Sequence, residues 1–131
     1  GRGGRVPDRP KTPRAGVAAV EKPWGYEIRW AITDRYIGKV LHVDKGESLS
    51  LQFHVHKDEC QLVVMGAVDI ELGGEDGNLE TFRMRTGDTV HIPPGVRHRI
   101  TAIEDADIFE VSTAEMNDVV RLEDKYGRAG T

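Results

Sequence analysis

From Tyr36 onward the chain advances in short runs of alternating apolar and polar residues, each closed by a turn signal, and no stretch sustains a helical period. The runs are Tyr36–Val43 (YIGKVLHV), Leu49–Phe53, Gln61–Met65, Val68–Leu72, Leu79–Met84, Thr89–Ile92, His98–Ala102 and Ile108–Val111. Between them fall Asp44-Lys45-Gly46-Glu47, His56-Lys57-Asp58, Met65-Gly66, the Gly73–Asn78 loop, Thr86-Gly87-Asp88 and Pro93-Pro94-Gly95. Ahead of them, Lys22-Pro23-Trp24-Gly25 leads into the alternating Ile28, Trp30 and Ile32. Successive side chains of a strand face opposite ways, so each run offers one apolar face to a core. Many short strands joined by tight turns predict an all-β antiparallel sandwich or barrel.

At 131 residues the chain has the length of one domain that can bury a core without disulfides. Its single cysteine, Cys60, excludes an internal bridge and is expected buried and inert. No apolar run is long enough to cross a bilayer and no signal-like apolar core is seen, so a soluble, cytoplasmic protein is expected. Charge is uneven. Residues 1–20 hold Arg2, Arg5, Arg9, Lys11 and Arg14 against Asp8, a balance of plus four that leaves minus eight elsewhere in a chain totalling minus four. That glycine- and proline-bearing segment has no apolar periodicity and is expected to be a disordered arm. Without interleaved aromatics, and ahead of an acidic body, it predicts no nucleic-acid partner. Residues 21–131 are expected to form the single barrel, with a C-terminal extension lying along its outside, anchored by Val120 and Leu122. Trp24, Tyr26 and Trp30 are expected to cap one end of the barrel or to cover a dimer partner.

Chemistry concentrates in two stretches. Gln52 and His54 lie two apart on a strand, so both project from one face together with Ser50. Glu59 follows across the His56-Lys57-Asp58 turn and returns on the neighbouring strand, and His98 stands just beyond the rigid Pro94-Gly95 corner. Two imidazoles, a carboxylate and an amide oxygen form a mixed nitrogen and oxygen set suited to one divalent metal such as Zn, Mn, Fe or Ni. His42 and His91 read as ordinary strand positions. His56 continues the parity of Gln52 and His54, and so is a candidate ligand or base. Lys39 shares a face with Leu41 and Val43; if that face is interior, its ammonium is placed to hold a phosphate or carboxylate.

The spacing Gly46-x5-Gln52-x-His54-x4-Glu59-x6-Gly66, followed by Gly87-x5-Pro93-Pro94-Gly95-x2-His98, resembles the paired motifs of the cupin superfamily. The resemblance implies a small double-stranded β-helix, or jelly-roll, barrel with a metal inside, often as a homodimer. SLQFH, the leading KPWGYE and the closing VVRLEDKYGR are similar to the cupin domain of type II mannose-6-phosphate isomerases. Carried over by position, the metal ligands are Gln52, His54, Glu59 and His98. Two departures stand out: Gln52 replaces the superfamily's usual histidine, and Cys60-Gln61 stands where the family commonly shows an aromatic pair. Residues 21–128 resemble the cupin part alone, so guanylyl transfer is not expected of them.

The resemblance implies a metal-dependent sugar-phosphate isomerase, in which a base moves a proton between adjacent carbons of an open-chain sugar. Candidates for that base are Lys39, His56 or hydroxide on the metal. Two alternatives stay open on the same barrel: an Fe(II)-dependent dioxygenase using the facial set His54, Glu59 and His98, or a sugar-binding module without turnover. In each case the partner is a small molecule, a sugar or sugar phosphate.

Overall fold

The computed structural model describes residues 18–130. Among them are β1 (Ala18–Lys22), β2 (Gly25–Ile32), β3 (Tyr36–Val43), β4 (Leu51–Phe53), β5 (Glu59–Met65), β6 (Ala67–Gly73), β7 (Leu79–Arg85), β8 (Thr89–Ile92), β9 (Arg97–Ala102), β10 (Ala106–Thr113) and β11 (Val120–Glu123). The strands form a six-stranded sheet, ordered β1-β2-β3-β10-β5-β8, and a five-stranded sheet, ordered β11-β4-β9-β6-β7. Every strand pair is antiparallel.

Alternation in the sequence becomes alternation in burial. On β3, Ile37, Lys39, Leu41 and Val43 turn inward, and on β10 Ala106, Ile108, Glu110 and Ser112 do the same. Leu41, Val63 and Ile108 from one sheet meet Ile70, Ile100 and Met84 from the other in a shared core closed at one end by Trp24. Each fully buried aliphatic side chain of this kind contributes about 1.5–3 kcal/mol. The sheets therefore pack face to face, as the strand rhythm predicted, in the small jelly-roll that the cupin resemblance implied. Glycine is required at two of the turns. At Gly66 (φ 82°) a side chain would meet the Asp105 carbonyl, and at Gly25 (φ 151°) it would meet that of His42.

Several expectations change. Of the expected arm 1–20, residues 1–17 lie outside the described residues, while Ala18–Val20 already belong to β1, paired with Glu27–Arg29. The C-terminal extension does not run along the outside. Val120 and Arg121 pair with Phe53 and Gln52, so β11 extends the smaller sheet, and the residues before it, Met116–Val119, line the interior cavity. In place of anchoring by Val120 and Leu122, backbone pairing to β4 holds the tail. Cys60 is exposed rather than buried, because Glu59 and Gln61 on either side of it take the inward positions of β5. Of the front aromatics, Trp24 is buried, Tyr26 stacks on His42 (ring centroids 4.8 Å apart), and Trp30 is 43% exposed over Gly38.

Candidate metal centre

His54, Glu59 and His98 converge from β5, β9 and the end of β4, all buried, with one ligand atom of each within 4.8 Å of the others. Glu59 Oε1 lies 2.8 Å from His54 Nε2 and 3.5 Å from His98 Nε2. The remaining ring nitrogens decide what those contacts are. His54 Nδ1 lies 2.5 Å from the carbonyl oxygen of Asp118, and His98 Nδ1 lies 3.0 Å from that of Val96. A carbonyl only accepts, so each Nδ1 carries a proton, and each ring turns its Nε2 toward Glu59. For His98 burial favours the neutral form, holding its pKa down at about 4 despite the Val96 hydrogen bond.

Glu59 Oε1 and the two Nε2 atoms thus face one another in a buried space, and no other group among the described residues donates a hydrogen bond to Glu59 Oε1. A buried acceptor cluster of this kind is costly by itself and is satisfied by a cation. The donor set fits a divalent metal, with carbonyls behind each histidine fixing tautomer and ring direction.

The carboxylate is fixed from behind. Gln61 Nε2 donates to Glu59 Oε2 (3.3 Å) and to Glu110 Oε1 (3.2 Å), leaving Glu59 Oε1 directed at the imidazoles. Lys57 Nζ lies 3.4 Å from Glu110 Oε2. Burial pushes the Glu59 carboxyl up, but its interactions with Glu110 and His54 and the charge of Lys57 outweigh it and hold its pKa below the ordinary carboxylate range. Glu110 goes the other way, raised by burial and by the adjacent Glu59 charge. Lys57 is held charged: burial opposes this, and the Glu110 and Glu59 carboxylates prevail.

Gln52 lies on β4 with its Cα opposite His98, and its Oε1 accepts from Ser50 Oγ at 2.7 Å. Gln52 and His54 line a cavity of about 360 Å3, and the buried Glu59 and His98 are not part of its wall. Lys39 lines it too, buried at 7% exposure and 3.4 Å from Glu27. His56 does not. It is exposed on the turn after β4, where its backbone N–H, rather than its ring, is engaged (2.6 Å to Asp118 Oδ2). His42 and His91 are bound away from the centre by Asp107 (2.6 Å) and Asp58 (2.7 Å).

Sequence reasoning missed Lys57, Gln61, Glu110 and Asp118. Lys57 falls in the His56-Lys57-Asp58 turn, and Glu110 lies within the Ile108–Val111 run. The inward parity of Glu110 with Ile108 was the available signal. Asp118 gave none, because its partners lie more than 60 positions away.

Residues 13–124 match the family described as mannose-6-phosphate isomerase C-terminal. The chain belongs to that family. It is 34% identical over 117 residues to the mannose-1-phosphate guanylyltransferase ManC of Salmonella typhimurium, a match covering 83% of this chain and 23% of that protein. The chain therefore spans about a quarter of the curated relatives it matches. In fold it is similar to KdgF from a Halomonas species (TM-score 0.68, 22% identity, 76% of this chain and 90% of that one). It is likewise similar to oxalate decarboxylase from Bacillus subtilis (TM-score 0.70, 18% identity, 83% and 31%). These likenesses establish the all-β cupin fold of this family member.

Proposed function

We propose that this family member is a metal-dependent aldose–ketose isomerase acting on a sugar phosphate. The observation that carries the reading is adjacency: the cavity wall that bears Lys22, Arg29, Lys39 and Lys57 also carries Gln52 and His54, and His54 converges with the buried Glu59 and His98. The ligand set would hold one divalent metal through His54, Glu59 and His98, with Gln52 as the fourth group. When bound, that metal supplies Lewis acidity to a sugar carbonyl and its neighbouring hydroxyl.

The protein's own part is to orient Glu59 through Gln61, to turn Nε2 of both imidazoles toward it, and to surround an anionic substrate with fixed positive charge. Proton transfer between adjacent carbons falls to an ionisable group lining the cavity. Lys39, Lys57 and Glu110 meet that condition, whereas His56 lies outside the wall. Family membership and the sugar-phosphate chemistry in the name of the ManC relative support the substrate class.

The test is direct. Metal-loaded protein is incubated with aldose and ketose phosphates of five and six carbons, mannose 6-phosphate included, and interconversion is followed by NMR. Stoichiometric metal with no interconversion of any of them would overturn the proposal. One observation favours a second reading: two histidines and one carboxylate are also the facial set with which Fe(II) takes substrate and dioxygen. Oxygen uptake that depends on Fe(II) would select it. Tight binding of a sugar recovered unchanged would instead select a binding module.

A further inference from the structure

On the cavity wall formed by the first strands, charges do not balance. Glu27 on β2 is the common partner of three cations: Arg29 Nη2 at 2.8 Å, Lys39 Nζ at 3.4 Å and Lys22 Nζ at 3.7 Å. Its carboxyl is held below its ordinary range, since Lys39, Arg29 and Lys22 outweigh the effect of burial. One carboxylate thus answers three positive charges, with Glu27 and Lys39 buried and Lys22 and Arg29 partly exposed, leaving an excess of two. Lys22 registers the excess. Burial, then the charges of Arg29, Lys39 and Arg128, push its pKa down against the attraction of Glu27.

Register places this cluster away from the imidazoles but facing the same space. Arg29 stands opposite Lys39, Lys39 opposite Glu110, and Glu110 opposite Gln61, the residue that holds Glu59. The row crosses β2, β3, β10 and β5. At ~4.8 Å per strand, the cations on β2 and the carboxylate ligand on β5 are separated by about 14 Å of sheet. A dianion held near β2 by one end of a ligand leaves several carbon atoms to span the cavity before the other end meets the ligand triad.

We propose that Lys22, Arg29 and Lys39 form a phosphate subsite, which takes the terminal phosphate of the sugar and sets its opposite end against His54, Glu59 and His98. The assignment of the sugar rests on the isomerase reading above; the subsite itself rests on the charge cluster. A phosphate dianion restores the balance, and a guanidinium beside two ammonium groups offers it charge-assisted hydrogen bonds. A phosphate on the reacting end would instead lie against Glu59 and Glu110. The site therefore selects phosphate at the far carbon and assigns Lys39 to holding substrate rather than to moving protons.

The experiment is calorimetric titration of the full chain with inorganic phosphate, chelator-treated and metal-loaded. It compares the unaltered protein with Lys22→Gln, Arg29→Gln, Lys39→Met and His54→Ala. Lys22 and Arg29 side chains are partly exposed, so those variants keep the test valid if Lys39→Met fails to fold, as melting curves will tell. Expected is one saturable phosphate with or without metal, weakened by about tenfold in each cation variant and unchanged in His54→Ala. Absence of saturable phosphate binding in the unaltered protein, or equal affinity in Lys22→Gln and Arg29→Gln, overturns the subsite. Phosphate binding without turnover of any sugar phosphate removes the isomerase reading and leaves the subsite standing. Turnover whose KM for a terminal sugar phosphate is unmoved by Arg29→Gln does the reverse.

Discussion

Asp118 holds His54 by its backbone and the loop behind His54 by its side chain. Its carbonyl accepts the His54 Nδ1 proton at 2.5 Å, while its carboxylate accepts the backbone N–H groups of Val55 (2.9 Å), His56 (2.6 Å) and Lys57 (2.8 Å). These three bonds outweigh burial and keep the carboxyl ionised. The tail thereby positions a ligand of the candidate metal centre, in the way that outer partners orient metal-binding histidines.

Asp118→Ala keeps the carbonyl and removes the carboxylate, so it releases the turn without touching a ligand. Metal affinity is expected to fall by about 10- to 100-fold, as read by competition with a chelator. Unchanged affinity in a folded Asp118→Ala protein would mean that the tail does not position His54.

The ligands themselves should behave differently from the other histidines. His54→Ala and His98→Ala each leave Glu59 with one imidazole and are expected to lose most stoichiometric metal, whereas His91→Ala, exposed and bound to Asp58, should retain it. Elemental analysis of the three purified variants decides, and equal metal in all of them removes the centre proposed here.

Gln52 is the superfamily departure with a measurable consequence. An amide oxygen is a weaker ligand than imidazole, and Gln52 Oε1 is shared with Ser50. Gln52→His is expected to tighten metal binding and Gln52→Ala to weaken it, by about tenfold for the loss of one ligand-strength interaction. Chelator competition on both variants checks this. Identical affinities in the two would show that Gln52 is no ligand.

What could be read from the chain, and what could not, follows from the range of the interactions. Gln52, His54 and Glu59 are local: strand parity and one turn place them, and the Pro94-Gly95 corner places His98, with Gly95 N–H tied to the His54 carbonyl at 2.8 Å. Lys39 was placed only conditionally, on the face it shares with Leu41 and Val43, and the structure shows that face to be interior. Lys57 and Glu110 were opaque, because a charged residue is ordinarily placed in water and their burial makes sense only once each is seen to compensate the other. Asp118 and the pairing of β11 with β4 were opaque for another reason. Both are contacts across about half of the chain, made by a largely polar tail.

The end of that tail is fastened by Tyr126, and the fastening is pH-dependent. Its hydroxyl donates to Glu47 Oε1 at 2.5 Å, and Lys125 Nζ reaches the same oxygen at 2.9 Å. Burial, together with the bond to and negative charge of Glu47, pushes the phenol up to about 12 from an ordinary value of 10.0. A folded-state pKa raised above the unfolded one means stabilisation that is complete below about pH 10 and lost as pH rises toward about 12. Ultraviolet titration should therefore show one phenol ionising near 12 that is absent from Tyr126→Phe and returns toward 10 in Glu47→Gln. Melting temperature should fall more steeply across this window in the unaltered protein than in Tyr126→Phe, which keeps Lys125 and so separates the phenol from the ammonium. Parallel declines in the two proteins would show that the Tyr126–Glu47 bond does not hold the tail.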